Sequence, residues 1–178
     1  MKKNWFLIKL NNKYFLKAGN KAFRCQIGER GLEKAAKKLE GDKTTPIGKW
    51  YLKSLYYRPD KILRPKLKKK NVIKINRITK NCGWCDDIRS LFYNKYIKFS
   101  NLQSVYTNYE KLWRNDDAYD IIVVISHNVR PIIKNKGSAI FIHLTKNYKK
   151  TVGCVALSKK DFLILLKLID SKTKIRIF

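Results

Sequence analysis

The segment Ile121–Ile125, IIVVI, sets five consecutive β-branched residues between the polar pairs Tyr119–Asp120 and Ser126–His127. The run is far too short to cross a membrane, and β-branched side chains favour the pleated backbone. It predicts a strand buried on both faces, a demand that only a layered β architecture meets.

The rest of the chain supplies further short strands and few helices. NWFLIKLNNKYFLK predicts two strands joined as a hairpin at Asn11–Asn12, and KAFRCQIG a third strand ended by Gly28. GLEKAAKKLEGD predicts a short helix or helical turn from Leu32 to about Leu39, stopped by Gly41. Thr45–Gly48, TPIG, predicts a turn before the aromatic and β-branched run Trp50–Tyr57. NVIKINRI is a candidate strand within a less regular inserted region at about 58–118. Ser138–Leu144 predicts a strand with Ala139, Phe141 and His143 on one face and Ile140 and Ile142 on the other. Ser158 is placed as an N-cap with Asp161 three residues on, opening a helix whose apolar face is Phe162, Leu165, Leu166 and Ile169. The expectation is one domain over 1–178, mainly β.

The net charge of +28 would attract polyanions, but the lysines are scattered, and only RPKLKKK, Arg64–Lys70, is a dense run. A basic nucleic-acid-binding module is the reading that charge alone allows. It would require a continuous basic face carrying exposed rings such as Tyr56, Tyr57 and Trp84. Scattered charge argues against a specific nucleic-acid partner. The cysteines at 25, 82, 85 and 154 are too few and too unevenly spaced for a disulfide framework. CGWC, Cys82–Cys85, lacks both the strand–helix context of a redox motif and the further ligands of a zinc site. No cofactor or metal is expected. Neither a signal peptide nor a run of 18 apolar residues is visible, so no transmembrane anchor is expected, and a monomer is.

His143 and Cys154 stand eleven residues apart, one at the end of a strand and the other after Val152–Gly153 and before the capped helix. A histidine beside a cysteine can take the thiol proton and return it to a leaving group, and Gly153 permits the close backbone approach that faces amide N–H groups toward an oxyanion. Spacing alone leaves open that the two are ordinary interior residues. His127 also follows a strand, so the two strand ends could meet at one rim, with Asn128 as a polar pocket residue. Tyr119 and Asp120 sit at the opposite end of that strand and are not expected to share a site with His127.

GSAIFIHLTKNYKKTVGCVAL, Gly137–Leu157, resembles the active-site signature of the L,D-transpeptidase catalytic domain, the YkuD-like family. GERGLEKAAKKLEGDKTTPIGKWYL is similar to its Gly-Asp-x-x-Thr-Pro-x-Gly region, and WCDD, YNKY and LWRNDDAYDIIVVISHN resemble segments of a compact proteobacterial branch. The likeness covers roughly residues 20 to 170. It implies a mixed β-sandwich with a helix following the catalytic cysteine, and an envelope or periplasmic enzyme acting on peptidoglycan stem peptides. By the resemblance, Cys154 forms a thioacyl enzyme and expels D-Ala, and carbapenems would block it. His143 moves the proton, the Leu144 carbonyl orients the imidazole, and the Gly153 and Cys154 amides hold the oxyanion. His127, Asn128, Arg130, Thr151 and Val152 are the expected substrate contacts. The same chemistry resolved by water would give an L,D-carboxypeptidase or an amidase. Two departures stand out: Val152 and Val155–Leu157 stand where many members have a histidine before Gly-Cys and an arginine or asparagine soon after, and no signal peptide is visible although the implied substrate lies outside the cytoplasmic membrane. Arg130, Arg114 or a lysine are candidates to replace that arginine.

Overall fold

In a computed structural model, the described residues are 4–67, 73–99, 108–170 and 172–178. The basic run therefore lies partly outside them, at 68–70. The strands are β1 (Asn4–Leu10), β2 (Lys13–Ala18), β3 (Lys21–Gln26), β4 (Leu32–Lys34), β5 (Thr45–Tyr57), β6 (Lys74–Arg77), β7 (Cys82–Cys85), β8 (Tyr96–Lys98), β9 (Tyr109–Lys111), β10 (Ile121–Ile125), β11 (Phe141–Leu144) and β12 (Val155–Leu157). They are followed by α1 (Lys159–Leu166), the one helix among the described residues, and β13 (Lys174–Ile177).

The fold is mainly β, and the sheet closes on itself. Its order is β10-β11-β12-β3-β2-β1-β13-β5, and β5 pairs back onto β10, giving an eight-stranded barrel with β4 and β6 as outlying strands on β5. Closure removes the exposed edges that an open sheet would carry. β5 makes it possible because it is thirteen residues long: its first half pairs with β13 and its second half with β10. A separate three-stranded sheet, β8-β7-β9, is built from strands between β6 and β10.

This arrangement explains the doubly buried strand. Ile121, Val123 and Ile125 point into the barrel with Leu55, Leu16 and Ile175, whereas Ile122 and Val124 join a second cluster with Trp84, Tyr119, Phe141 and Cys154. Trp84 of β7 meets Phe141 edge-on at 5.2 Å, so the small sheet lies over the outer face of β10 and β11. The alternation expected along Ser138–Leu144 holds, with Phe141 outward and Ile140, Ile142 and Leu144 inward. The strand itself starts only at Phe141, because Ala139 takes φ +50° and leaves the ladder.

The Asn11–Asn12 hairpin is present, with Leu10 opposite Lys13 and both asparagines at positive φ, as a two-residue primed turn requires. Ser158 caps α1, its Oγ accepting from the Asp161 N–H at 3.1 Å, and Phe162, Leu165, Leu166 and Ile169 join the barrel core.

Two expectations are corrected. Leu32–Leu39 is not a helix: Leu32–Lys34 pairs in parallel with Thr45–Ile47, and a single turn follows, with the Lys37 and Lys38 amides donating to the Lys34 carbonyl. Pairing along β5 outweighs the helical propensity of this short segment. The Thr45–Gly48 segment is strand rather than turn. Pro46 lies opposite Glu33 at the start of β5, and a Cβ on Gly48 would fall 2.4 Å from the Trp50 ring that folds back across it.

Candidate active site

β10 and β11 are antiparallel, with Val123 opposite Ile142 and Val124 opposite Phe141. The end of β10 therefore lies beside the start of β11, and the beginning of β10 beside the end of β11. His143 is placed next to Tyr119 and Ala118, not next to His127: the Tyr119 and His143 rings meet edge-on at 5.2 Å, and the Leu144 N–H donates to the Ala118 carbonyl at 3.0 Å. The expectation that the two histidine-bearing strand ends meet at one rim is overturned by this register.

Cys154 reaches the same place from the other side. β12 runs parallel to β11 with Ala156 opposite His143, and Thr151 is tied to the β3 end by Thr151 N–H to Ile27 carbonyl (2.9 Å) and Glu29 N–H to Thr151 carbonyl (2.8 Å). A cavity of about 630 Å³ is lined by His143, Cys154, Tyr119, Leu144, Thr151 and Val152, together with Glu110 and Arg114. His127, Asn128 and Arg130 are not among its lining residues. His127 is buried at the far end of the ribbon, its Nε2 2.8 Å from the Lys136 carbonyl and its ring edge-on to Trp50 at 5.0 Å. Asn128 ties its own loop through Ile133 and Gly137, and Arg130 is exposed.

The imidazole is held in one tautomer. His143 Nδ1 lies 2.7 Å from the Leu144 carbonyl, which can only accept, so Nδ1 carries the proton and Nε2 is left as a base. Burial lowers the His143 pKa to about 4, with the Leu144 carbonyl opposing the shift. Burial also pushes the Cys154 thiol up to about 12, against the Phe141 N–H that favours thiolate. The sulfur accepts from that N–H at 3.3 Å and donates to the Ala139 carbonyl at 3.2 Å. At neutral pH the site thus holds a neutral thiol and a neutral imidazole.

The backbone of the turn that carries Cys154 is almost fully spent. Thr151 Oγ1 accepts from the Gly153 N–H at 3.1 Å and donates to the Cys154 carbonyl at 2.7 Å, while the Gly153 carbonyl accepts from Thr45 Oγ1 at 2.7 Å. Of the two amides expected to face an oxyanion, Gly153 N–H is engaged in this arrangement, and Cys154 N–H is the one the turn does not use. Gly153 itself sits at φ +142°, where a Cβ would press on the Thr44 carbonyl at 3.0 Å.

Charge around the cavity is split. Five of the chain's 13 acidic residues, Glu29, Glu110, Asp116, Asp117 and Asp120, line it, opposed by Arg114 and by Lys146, Lys149 and Lys150 of the loop between His143 and Cys154. Arg114 stacks over the Tyr119 ring at 4.9 Å and is paired with Glu110 and Asp116. Asp117 accepts from both Lys61 and Lys146, which hold its carboxyl down at about 2. Sequence reasoning missed Glu110 and set Tyr119 aside. Treating the two consecutive apolar strands as antiparallel neighbours would have put Tyr119 at the histidine. Among the described residues no group of acidic, His and Cys side chains is arranged to hold a metal ion.

A thiol, a single-tautomer imidazole and an unspent amide at one cavity define the equipment of a cysteine acyl-transfer enzyme. The profile of the L,D-transpeptidase catalytic domain, YkuD, matches residues 3–177, and the chain belongs to that family. Membership brings cysteine-dependent chemistry of the L,D-transpeptidase type. No curated protein matches the chain.

Proposed function

We propose that this protein is a peptidoglycan L,D-transpeptidase that works through a thioacyl enzyme at Cys154. The observation that carries the reading is the meeting of Cys154 and His143 at one cavity, with the imidazole Nδ1 held against the Leu144 carbonyl, in a chain of this family. As sulfur attacks the amide carbonyl after the L-configured diamino acid of a stem tetrapeptide, the thiol proton passes to His143 Nε2. The carbonyl oxygen takes the electron pair, and Cys154 N–H donates to it. Gly153 N–H could join only by releasing Thr151 Oγ1. Collapse expels D-Ala, whose nitrogen takes the proton back from His143 and leaves a thioester. An acceptor amine then attacks, His143 takes its proton, and the sulfur leaves to be reprotonated.

The divided charge of the cavity suits a peptide that carries both ammonium and carboxylate groups. The side chain two residues after the cysteine is Ala156, buried and opposite His143. The cationic role that the family often gives that position falls here to Arg114 or the lysines of 146–150, which border the cavity. Such a substrate places the enzyme in the cell envelope. No helix among the described residues is long and apolar enough to cross a membrane.

Intact-protein mass spectrometry after exposure to a defined tetrapeptide, and separately to a carbapenem, tests the reading. A covalent adduct mapped to Cys154 and absent from Cys154→Ser is expected, with crosslinked product when an amine acceptor is supplied. Hydrolysis alone would move the assignment to a carboxypeptidase. A folded protein with a free thiol and no adduct from either reagent would refute it.

A further inference from the structure

Thr45 lies outside the cavity and is completely buried, yet its hydroxyl makes two bonds. It accepts from the Gly28 N–H at 2.9 Å and donates to the Gly153 carbonyl at 2.7 Å. The peptide unit that carries this carbonyl also carries the Cys154 N–H, and it is trans. In a trans peptide the C=O and N–H point in opposite directions, so a bond that fixes the carbonyl toward Thr45 fixes the Cys154 N–H away from it. Donation to a carbonyl also polarises the amide and makes its N–H a better donor. Gly28 N–H in turn holds the hydroxyl so that its hydrogen faces Gly153.

We propose that Thr45 is a positioning residue for the oxyanion donor: its hydroxyl sets the plane of the Gly153–Cys154 peptide and aims the Cys154 N–H at the developing negative charge. The assignment rests on the acyl-transfer reading above. It goes beyond that reading in giving a catalytic consequence to a buried side chain that touches neither substrate nor sulfur. The split with Thr151 supports it, because Thr151 Oγ1 takes Gly153 N–H and Cys154 C=O and leaves one amide for Thr45 to aim.

Two reactions at the same sulfur separate this role from simple support of the fold. Acylation passes through a tetrahedral oxyanion, whereas alkylation by iodoacetamide does not. In Thr45→Val, the single-turnover acylation rate is expected to fall about 10- to 100-fold, while Cys154 alkylation stays within about twofold of wild type. Thr45→Ser, which keeps the donor, should restore acylation to within about fivefold. Should Val fail to fold, Thr45→Cys keeps the shape with a weaker donor and must show the same selective loss, with modified positions assigned by peptide mapping. Equal loss of acylation and alkylation, or undiminished acylation without the hydroxyl, would overturn the assignment. Wild-type protein that alkylates but never acylates would instead defeat the acyl-transfer reading itself.

Discussion

The two histidines of this chain occupy matching sequence contexts and opposite ends of one β ribbon. His143 lies near the end of one apolar strand and His127 just past the end of another, each has one ring nitrogen against a backbone carbonyl, at 2.7 Å for His143 and 2.8 Å for His127, and burial lowers the pKa of both. What separates them is what the fold brings across. His143 faces a cavity with a thiol and Tyr119, whereas His127 is sealed against Trp50 beside the buried Lys38, which pairs with half-buried Asp42. Local sequence makes a held imidazole twice. Antiparallel register and the returning β12 bring only one of them to the cavity that holds Cys154.

The sharpest way to break this comparison is to exchange each histidine for glutamine. His143→Gln removes the proposed proton carrier and is expected to lower Cys154 acylation about 10³-fold, measured by mass spectrometry in single turnover. His127→Gln should leave that rate within about threefold and instead lower stability by about 1–3 kcal/mol in denaturant unfolding, because a buried hydrogen-bonded ring is replaced. Comparable rate losses in both variants would show that the far end of the ribbon takes part in the chemistry.

The next test is pH. With His143 depressed to about 4 and Cys154 raised to about 12, the reactive form is the neutral pair, so acylation should be level through neutrality and fall with an acid limb near 4. An acid limb between 6 and 7 would contradict a buried neutral imidazole. Stability follows the same sign. Both histidines have folded pKa values below the unfolded one, so the unfolded chain binds more protons as pH falls below about 6.5, and the native state weakens down through about 4.

These contrasts also mark what could be read before the fold was known. The hairpin at Asn11–Asn12, the doubly buried Ile121–Ile125, the alternation through His143 and the Ser158 cap were all legible, because each is dictated by residues within one or two turns of backbone. Cys154 and His143 were legible as a pair only through the resemblance, since spacing does not specify that β12 runs parallel beside β11. Leu32–Leu39 was misread for a related reason: the helical propensity of its first residues is overruled when Leu32–Lys34 pairs in parallel with Thr45–Ile47 at the start of β5. Tyr119 was set aside because it lies far from His127 along β10, and that distance is what puts it against His143.

Aromatic partners give the third contrast. Tyr119→Leu frees the His143 ring from its edge-on neighbour and, if His143 carries the proposed proton transfer, should lower kcat about tenfold with little change in KM, since a displaced proton acceptor costs rate more than binding. Tyr119→Phe, which keeps the ring and loses only the hydroxyl near Glu110, should stay within about threefold. At the other end, Trp50→Leu leaves His127 uncovered and should cost about 2–3 kcal/mol of stability without altering kcat. A kcat loss in Trp50→Leu matching that of Tyr119→Leu would show that general loosening of the ribbon, rather than contact with the base, sets the rate.

The smallest expected effect concerns the loop that joins His143 to Cys154 and has no counterpart at His127. Asp117, held at φ +61°, ties this loop to the barrel by accepting from Lys146 while also pairing with Lys61. All three side chains are partly exposed, so water and salt screen the attraction, and the link steers the loop without holding the fold. Asp117→Asn should raise KM about two- to threefold and leave kcat unchanged, and wild type should approach the variant as salt is raised. The carboxyl is depressed to about 2 in the folded chain, so its contribution is complete above about pH 4 and disappears only as pH falls toward 2. The KM difference between wild type and Asp117→Asn should therefore be constant from pH 5 to 8. A difference that grew or vanished within that range would mean that another group, not Asp117, holds the lysine loop over the cavity.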